Sequence, residues 1–135
     1  MLPIPDAKRA DAALHPLIAA RWSPRAFDPA RALTEGDLLP LLEAARWAAS
    51  ASNIQPWRIA WALRGEAGFE ALLGCLAAGN AAWAHRAGAL LLGCAALDTP
   101  DGKRNRHAAH DLGQALAQLT LQAAADGLAD RKSVV

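Results

Sequence analysis

Cysteine is scarce in this chain of 135 residues, with Cys75 and Cys94 as the only two. Neither lies in a CxxC pair or at a Cys/His spacing that suits a metal, so the sequence indicates neither a metal site nor a redox pair. Two small buried thiols in a reducing cytoplasm are the simpler interpretation. A chain of this length can bury a core without disulfides or metals. We therefore expect a cytoplasmic protein with no metal.

Long apolar runs and an excess of one charge are also lacking. The longest apolar run, residues 87–97, is too short to span a bilayer as a helix. The N-terminal residues lack the continuous apolar stretch of a secretory signal. The formal net charge of +1 provides no field that would attract nucleic acid or an anionic membrane. GxGxxG, P-loop and GxSxG motifs are absent as well. These features predict one globular domain over residues 1–135.

Hydrophobic spacing predicts helices and two strands. Residues 88–97 carry no polar side chain, which is typical of a central strand covered on both faces. The order of elements favours the α+β class. Two strands leave sheet edges that must be paired or covered, which predicts further structure or a partner chain. The predicted helices span residues 11–20 (bent near Pro16), 34–47, 66–77, 81–86 and 107–125, and the other strand spans residues 57–63.

Arg21, Ser23 and Arg25 form the first constellation of polar side chains that could carry chemistry. Pro24 favours an extended backbone at the residue before it, and alternate residues of an extended segment face the same side. Two guanidinium groups and a hydroxyl on one side suit a phosphate or another anion. Spacing alone equally fits two surface arginines around a serine cap, and such pairs are common.

Asn53 and Gln55 form the second constellation, in the small and polar loop that ends at Pro56. The proline favours an extended conformation for Gln55, which would place the two carboxamides on one face. Carboxamides offer donors and an acceptor, so the pair suits a ligand edge with alternating donors and acceptors, such as the pyrimidine side of a flavin. Side chains that bond their own backbone in a turn are the alternative that spacing alone favours.

His107 and His110 are the third candidate, because their spacing on a helix permits a shared metal. No third ligand with a suitable spacing lies nearby, so the pattern argues against a metal site. Asp111, close to the start of the same helix, is more simply interpreted as a partner of the helix dipole.

Four motifs occur in order along nearly the whole chain. Arg-x-Ser-x-Arg-x-Phe covers residues 21–27, and Ser-x-x-Asn-x-Gln-Pro-Trp covers residues 50–57. Asn-x-x-Trp covers residues 80–83, and Asp-x-Gly at residues 111–113 is followed by Gly-Leu at residues 127–128. Each motif alone is weak. In this order and spacing the set resembles the FMN-dependent nitroreductase family, which favours a binding role for the first two loops.

The resemblance implies a homodimeric α+β flavoprotein with a nitroreductase-like mixed sheet flanked by helices and with FMN at the subunit interface. NAD(P)H would reduce the flavin, which would then reduce a nitroaromatic or quinone-type acceptor. No side chain need act as a nucleophile or general base. The arginines would neutralise the phosphate or ribityl end, the first serine would add a hydrogen bond, and the carboxamides would read the ring edge, from the partner subunit. The implied cofactor-binding residues are Arg21, Ser23, Arg25, Ser50, Asn53 and Gln55.

Two departures from the family pattern affect these expectations. Ala49 stands where proline is usual before the serine, which is a small change. Residues 130–135 do not match the Gly-Gly loop, helix and final strand that the family places next. We therefore expect a domain truncated at its C-terminus, with poor stability or self-association and weak activity. The alternative is a non-catalytic remnant, or a binding module that completes its sheet with another chain and does not hold flavin by itself.

Overall fold

The computed structural model describes residues 10–131, and within them five helices accompany a two-stranded sheet. This arrangement confirms the predicted α+β class. The elements in chain order are α1 (Pro16–Ala20), α2 (Glu35–Arg46), β1 (Trp57–Leu63), α3 (Ala67–Gly74), α4 (Ala78–Ala84), β2 (Ala89–Ala95) and α5 (Ala108–Ala125).

The first helix is shorter than predicted because Pro16 begins it rather than bending it. Proline lacks an amide hydrogen and has a helical φ, so it suits the first helical position. His15 caps the helix, with its Nδ1 accepting a hydrogen bond from the Leu17 amide at 3.2 Å. Residues 11–15 are therefore not helical. The predicted helix over residues 66–77 is likewise too long, since α3 ends at Gly74.

The start of α2 follows the sequence prediction. Thr34 is the N-cap, and the Asp37 carboxylate accepts hydrogen bonds from the Thr34 amide and hydroxyl, each at 2.7 Å. These bonds from Thr34 hold the pKa of the Asp37 carboxyl below its ordinary value. Negative charge in the first turn also stabilises the helix through its dipole.

The two strands pair antiparallel, from Trp57 opposite Ala95 to Leu63 opposite Ala89. Helices α3 and α5 both contact β2, but six of its seven residues are only half-buried and Cys94 is exposed, so the predicted cover on both faces is incomplete. Within the described residues β1 is the only strand beside β2, so the other edge of β2 has no strand partner there. Cys75 is also exposed, so the prediction of two buried thiols is wrong.

The main core lies where α2 and α5 pack together against β1. Leu38 and Leu41 of α2 meet Leu119 of α5, and all three are almost fully buried. Gly93 of β2 lies under α5, where any Cβ would come within 3.2 Å of Leu116. The remaining buried members of the core are Ala45, Ala48, Trp57, Ala115 and Ala123.

Gly127 ends α5, as the sequence predicts. Its φ of 71° is left-handed, a conformation that glycine adopts without steric cost. The Leu128 amide then donates to the Ala123 carbonyl at 2.8 Å, and the Gly127 amide donates to the Ala124 carbonyl at 3.3 Å. This pair of bonds satisfies carbonyls that the helix end would otherwise leave unpaired.

Arg64, directly after β1, ties two distant loops to the sheet. Its guanidinium donates to the carbonyls of Arg86 at 2.9 Å, Pro29 at 2.8 Å and Arg31 at 3.2 Å. We expect Arg64→Ala to lower the free energy of unfolding by about 1.5–3 kcal/mol, measured by urea denaturation, because hydrogen bonds from a charged donor are lost. Arg64→Lys keeps the charge without the planar fork and should recover only part of this loss. Equal stability of all three proteins would contradict this assignment.

Candidate functional site

The arginine loop, which we define as residues 21–25, follows α1, begins extended at Arg21 and bends at Arg25. Arg21 has φ −71° and ψ 123°, as predicted. Pro24 is buried, whereas Ser23 and Arg25 are exposed and Arg21 is half-buried. The Ser23 hydroxyl and the Arg25 guanidinium are therefore accessible to a ligand.

Arg131, which lies outside all four motifs, contacts the backbone of the arginine loop. The Arg131 guanidinium donates to the Arg25 carbonyl at 3.1 Å and lies 3.5 Å from the Pro24 carbonyl oxygen. The same guanidinium stacks 4.3 Å from the centre of the Trp83 ring, which packs 6.0 Å from Phe27. A cation over an indole face is electrostatically attracted to it. The Asn-x-x-Trp motif thus contributes a support for the arginine loop, whereas no sequence signal pointed to Arg131.

The carboxamide loop, which we define as residues 50–55, is not extended as predicted. A short 3₁₀ turn covers Ala51–Asn53, and Ser52, Asn53 and Gln55 have φ of 51°, 53° and 51°. The two carboxamides nevertheless meet, because Gln55 Nε2 donates to Asn53 Oδ1 at 2.9 Å. The prediction of a shared face depended on an extended segment, which is not present; a tight left-handed turn brings the two side chains together instead.

Two side chains hold the carboxamide loop in this shape. The Ser50 hydroxyl oxygen accepts a hydrogen bond from the Gln55 amide at 3.0 Å and so closes the loop. Asp111 Oδ2 accepts one from the Ala51 amide at 3.1 Å, across 60 residues of sequence. The sequence places Asp111 in the Asp-x-Gly motif and favours a helix-dipole partner, and that interpretation missed the contact with this loop.

The two histidines at the start of α5 face solvent. His110 Nδ1 lies 3.4 Å from Asp111 Oδ1 and 3.2 Å from Gln114 Nε2, and His107 is exposed. Across residues 10–131, no group of three or more His, Cys, Asp or Glu side chains could hold a metal ion.

A cavity of about 460 Å³ opens between α2, β2 and the end of α5. None of the six predicted cofactor residues lines it. Its wall contains leucines of all three elements, and its polar lining consists of Trp83 and the charged side chains of Asp28, Arg31, Asp130 and Arg131. The candidate cofactor residues therefore lie in the two polar loops, outside the lining of this cavity.

Comparison with known proteins agrees with the motifs. The sequence model of the nitroreductase family matches residues 18–74, which include both polar loops. A solved oxidoreductase containing FMN is 33% identical in sequence, and the match covers 93% of this chain and 65% of that chain with a TM-score of 0.84. The resemblance to the FMN-containing nitroreductase family that the sequence predicts is therefore confirmed.

Other solved structures share the fold. A nitroreductase family protein from Clostridium difficile 630 is 25% identical, with 84% of this chain and 63% of that chain covered and a TM-score of 0.65. Iodotyrosine deiodinase bound to FMN and 3-iodo-L-tyrosine is 18% identical, with 87% and 72% covered and a TM-score of 0.66. The likeness to the deiodinase concerns the fold alone. The chain spans 65% and 63% of the first two structures, less than two thirds of either.

Two further findings complete the comparison. No curated protein matches the chain significantly. None of the helices within residues 10–131 is both long and apolar enough to cross a membrane.

Proposed function

We propose that this chain carries FMN-binding elements of an oxidoreductase that takes reducing equivalents from NAD(P)H and reduces a nitroaromatic or quinone-type acceptor. The observation that carries the proposal is the contact between the carboxamides of Asn53 and Gln55 at 2.9 Å, at the position where the family motif places them. We further propose a cytoplasmic homodimer whose subunit holds residues 1–135 within one domain, with the flavin at the subunit interface.

The donor chemistry of the two loops fits FMN. Guanidinium groups at Arg21 and Arg25 suit a phosphate, because they offer planar pairs of donors with permanent charge. Carboxamides at Asn53 and Gln55 suit the alternating donors and acceptors of a pyrimidine edge. When bound, the flavin supplies the hydride and electron transfer, and the protein supplies binding and orientation.

Each proposed residue has a distinct part in binding. Arg21 and Arg25 would bind the phosphate or ribityl end, and the exposed Ser23 hydroxyl would add a hydrogen bond there. The Ser50 oxygen already accepts from the Gln55 amide. Its hydroxyl proton therefore remains available to donate to a ligand. Asn53 and Gln55 would face the ring edge in the partner subunit.

The test begins with the colour of the purified protein. We expect residues 1–135 to take up FMN, detected as visible absorbance that co-elutes with the protein and as quenching of tryptophan fluorescence on titration. NAD(P)H should then support reduction of a quinone or a nitroaromatic compound, at the weak level expected of this chain. A folded protein that takes up neither FMN nor riboflavin would contradict the proposal and favour the non-catalytic alternative. If the protein binds flavin but reduces neither acceptor, the proposed cofactor is supported and the proposed reductase activity is contradicted.

A further inference from the structure

The backbone of the carboxamide loop is one that non-glycine residues rarely adopt. Ser52, Asn53 and Gln55 all lie in the left-handed region, and only asparagine of these three is enriched there. Such a conformation persists only where the surroundings determine it. The loop therefore needs contacts from outside its own sequence to keep its two carboxamides in place.

Asp111 provides such a contact from a rigid element. Its side chain is almost fully buried, with 2% of the residue exposed, and it lies in the first turn of α5. Because α5 also packs against α2 in the main core, the position of this carboxylate is fixed by the fold. Asp111 Oδ2 accepts from the Ala51 amide at 3.1 Å, and Oδ1 faces His110 at 3.4 Å.

Burial makes the Asp111 carboxylate depend on hydrogen-bond partners, and it strengthens the hydrogen bonds that the carboxylate accepts. A buried charged oxygen is costly unless it is hydrogen-bonded, and a hydrogen bond to a charged acceptor is stronger than a neutral one. The Ala51 amide is the one backbone partner from the carboxamide loop, and it lies directly before the first left-handed residue. The hydrogen bond to Asp111 fixes the loop at Ala51, and the hydrogen bond between the Gln55 amide and the Ser50 hydroxyl fixes it at Gln55. The backbone between these two residues therefore has little freedom.

We propose that Asp111 is a positioning residue for the flavin ring: its carboxylate holds the Ala51 amide and thereby orients the carboxamides of Asn53 and Gln55. This inference rests on the proposed function and assigns a role to a residue that would not touch the cofactor. In this proposal the carboxamide loop contacts the ring edge, which FMN and riboflavin share, and not the phosphate. Loss of Asp111 should therefore weaken the binding of FMN and of riboflavin to the same extent.

The experiment compares Asp111→Ala and Asp111→Asn with Asp126→Asn as a matched control. Asp126 also lies at an end of α5, but its carboxylate contacts Gln122 rather than the carboxamide loop. Amide hydrogen exchange is measured first, in the full chain without flavin. We expect exchange at Ala51 to be roughly tenfold faster in Asp111→Ala, since one charge-assisted hydrogen bond is lost. Asp111→Asn, which keeps an oxygen acceptor, should be intermediate, and Asp126→Asn should be unchanged.

Flavin affinity is measured second. Asp111→Ala should weaken FMN and riboflavin by an equal factor of roughly ten, with a smaller equal loss in Asp111→Asn. A loss confined to FMN, or unchanged Ala51 exchange in both Asp111 variants, would overturn the proposal. If Asp111→Ala does not fold, Asp111→Asn decides by the same two criteria. Absence of flavin binding by the unsubstituted protein would overturn the proposed function, whereas the exchange rates would still decide whether Asp111 holds the loop.

Discussion

Replacing both Arg21 and Arg25 with alanine is expected to weaken FMN binding by roughly a hundredfold or more while leaving riboflavin binding almost unchanged. In the proposed site each guanidinium would donate charge-assisted hydrogen bonds to the phosphate, and a hydrogen bond of this kind contributes about 1.5–3 kcal/mol. Riboflavin has the same ring but no phosphate, so it serves as the internal reference. Both affinities follow from titrations monitored by tryptophan fluorescence.

A second double variant separates this effect from a general change of charge. Arg104→Ala with Arg106→Ala removes the same two positive charges from an exposed turn outside the four motifs. We expect FMN affinity to change less than about twofold in this control, because screened charges at a distance contribute little. Equal FMN affinity in the Arg21/Arg25 double variant and the unsubstituted protein would remove the arginine loop from the proposed site.

Replacing Leu38 with alanine is expected to lower the free energy of unfolding by about 2–5 kcal/mol, because it removes a buried side chain and leaves a cavity. Leu38 is 1% exposed and lies where α2 meets α5. Total stabilities of such domains are about 5–15 kcal/mol. The variant should therefore unfold at a clearly lower urea concentration.

Leu39 provides the matched control for this substitution. It is the next residue of the same helix and has the same side chain, but it is 55% exposed. Leu39→Ala should change the free energy of unfolding by less than about 0.5 kcal/mol. If the two variants lost equal stability, the direction in which α2 faces the core would be wrong.

Local signals in the sequence predicted several elements well. Trp57–Leu63 is a strand with the predicted bounds, Thr34 caps α2, and Gly127 ends α5. These features depend on residues a few positions apart, since caps, turns and the spacing of apolar side chains act within one or two helical turns. The order of the four motifs likewise predicted the family resemblance and selected both polar loops.

The same local reasoning was wrong where distant residues decide the conformation. Pro56 favoured an extended carboxamide loop, yet the loop is a left-handed turn that Asp111 holds from 60 residues away. The exposure of Cys94 also depends on which elements cover β2. The apolar residues beside Cys94 in the sequence do not indicate which elements those are.

The sequence by itself determined the class of the fold, the bounds of β1, α2 and α5 to within one residue, and the identity of the polar side chains proposed to bind the cofactor. Only the tertiary structure decided how those side chains are held, through Asp111 at the carboxamide loop and Arg131 at the arginine loop. The physical reason is that helix and strand preferences arise from short-range sterics and hydrogen bonds. In contrast, the supports of the two loops are hydrogen bonds between residues 60 and 106 positions apart, which form only when the core brings them together.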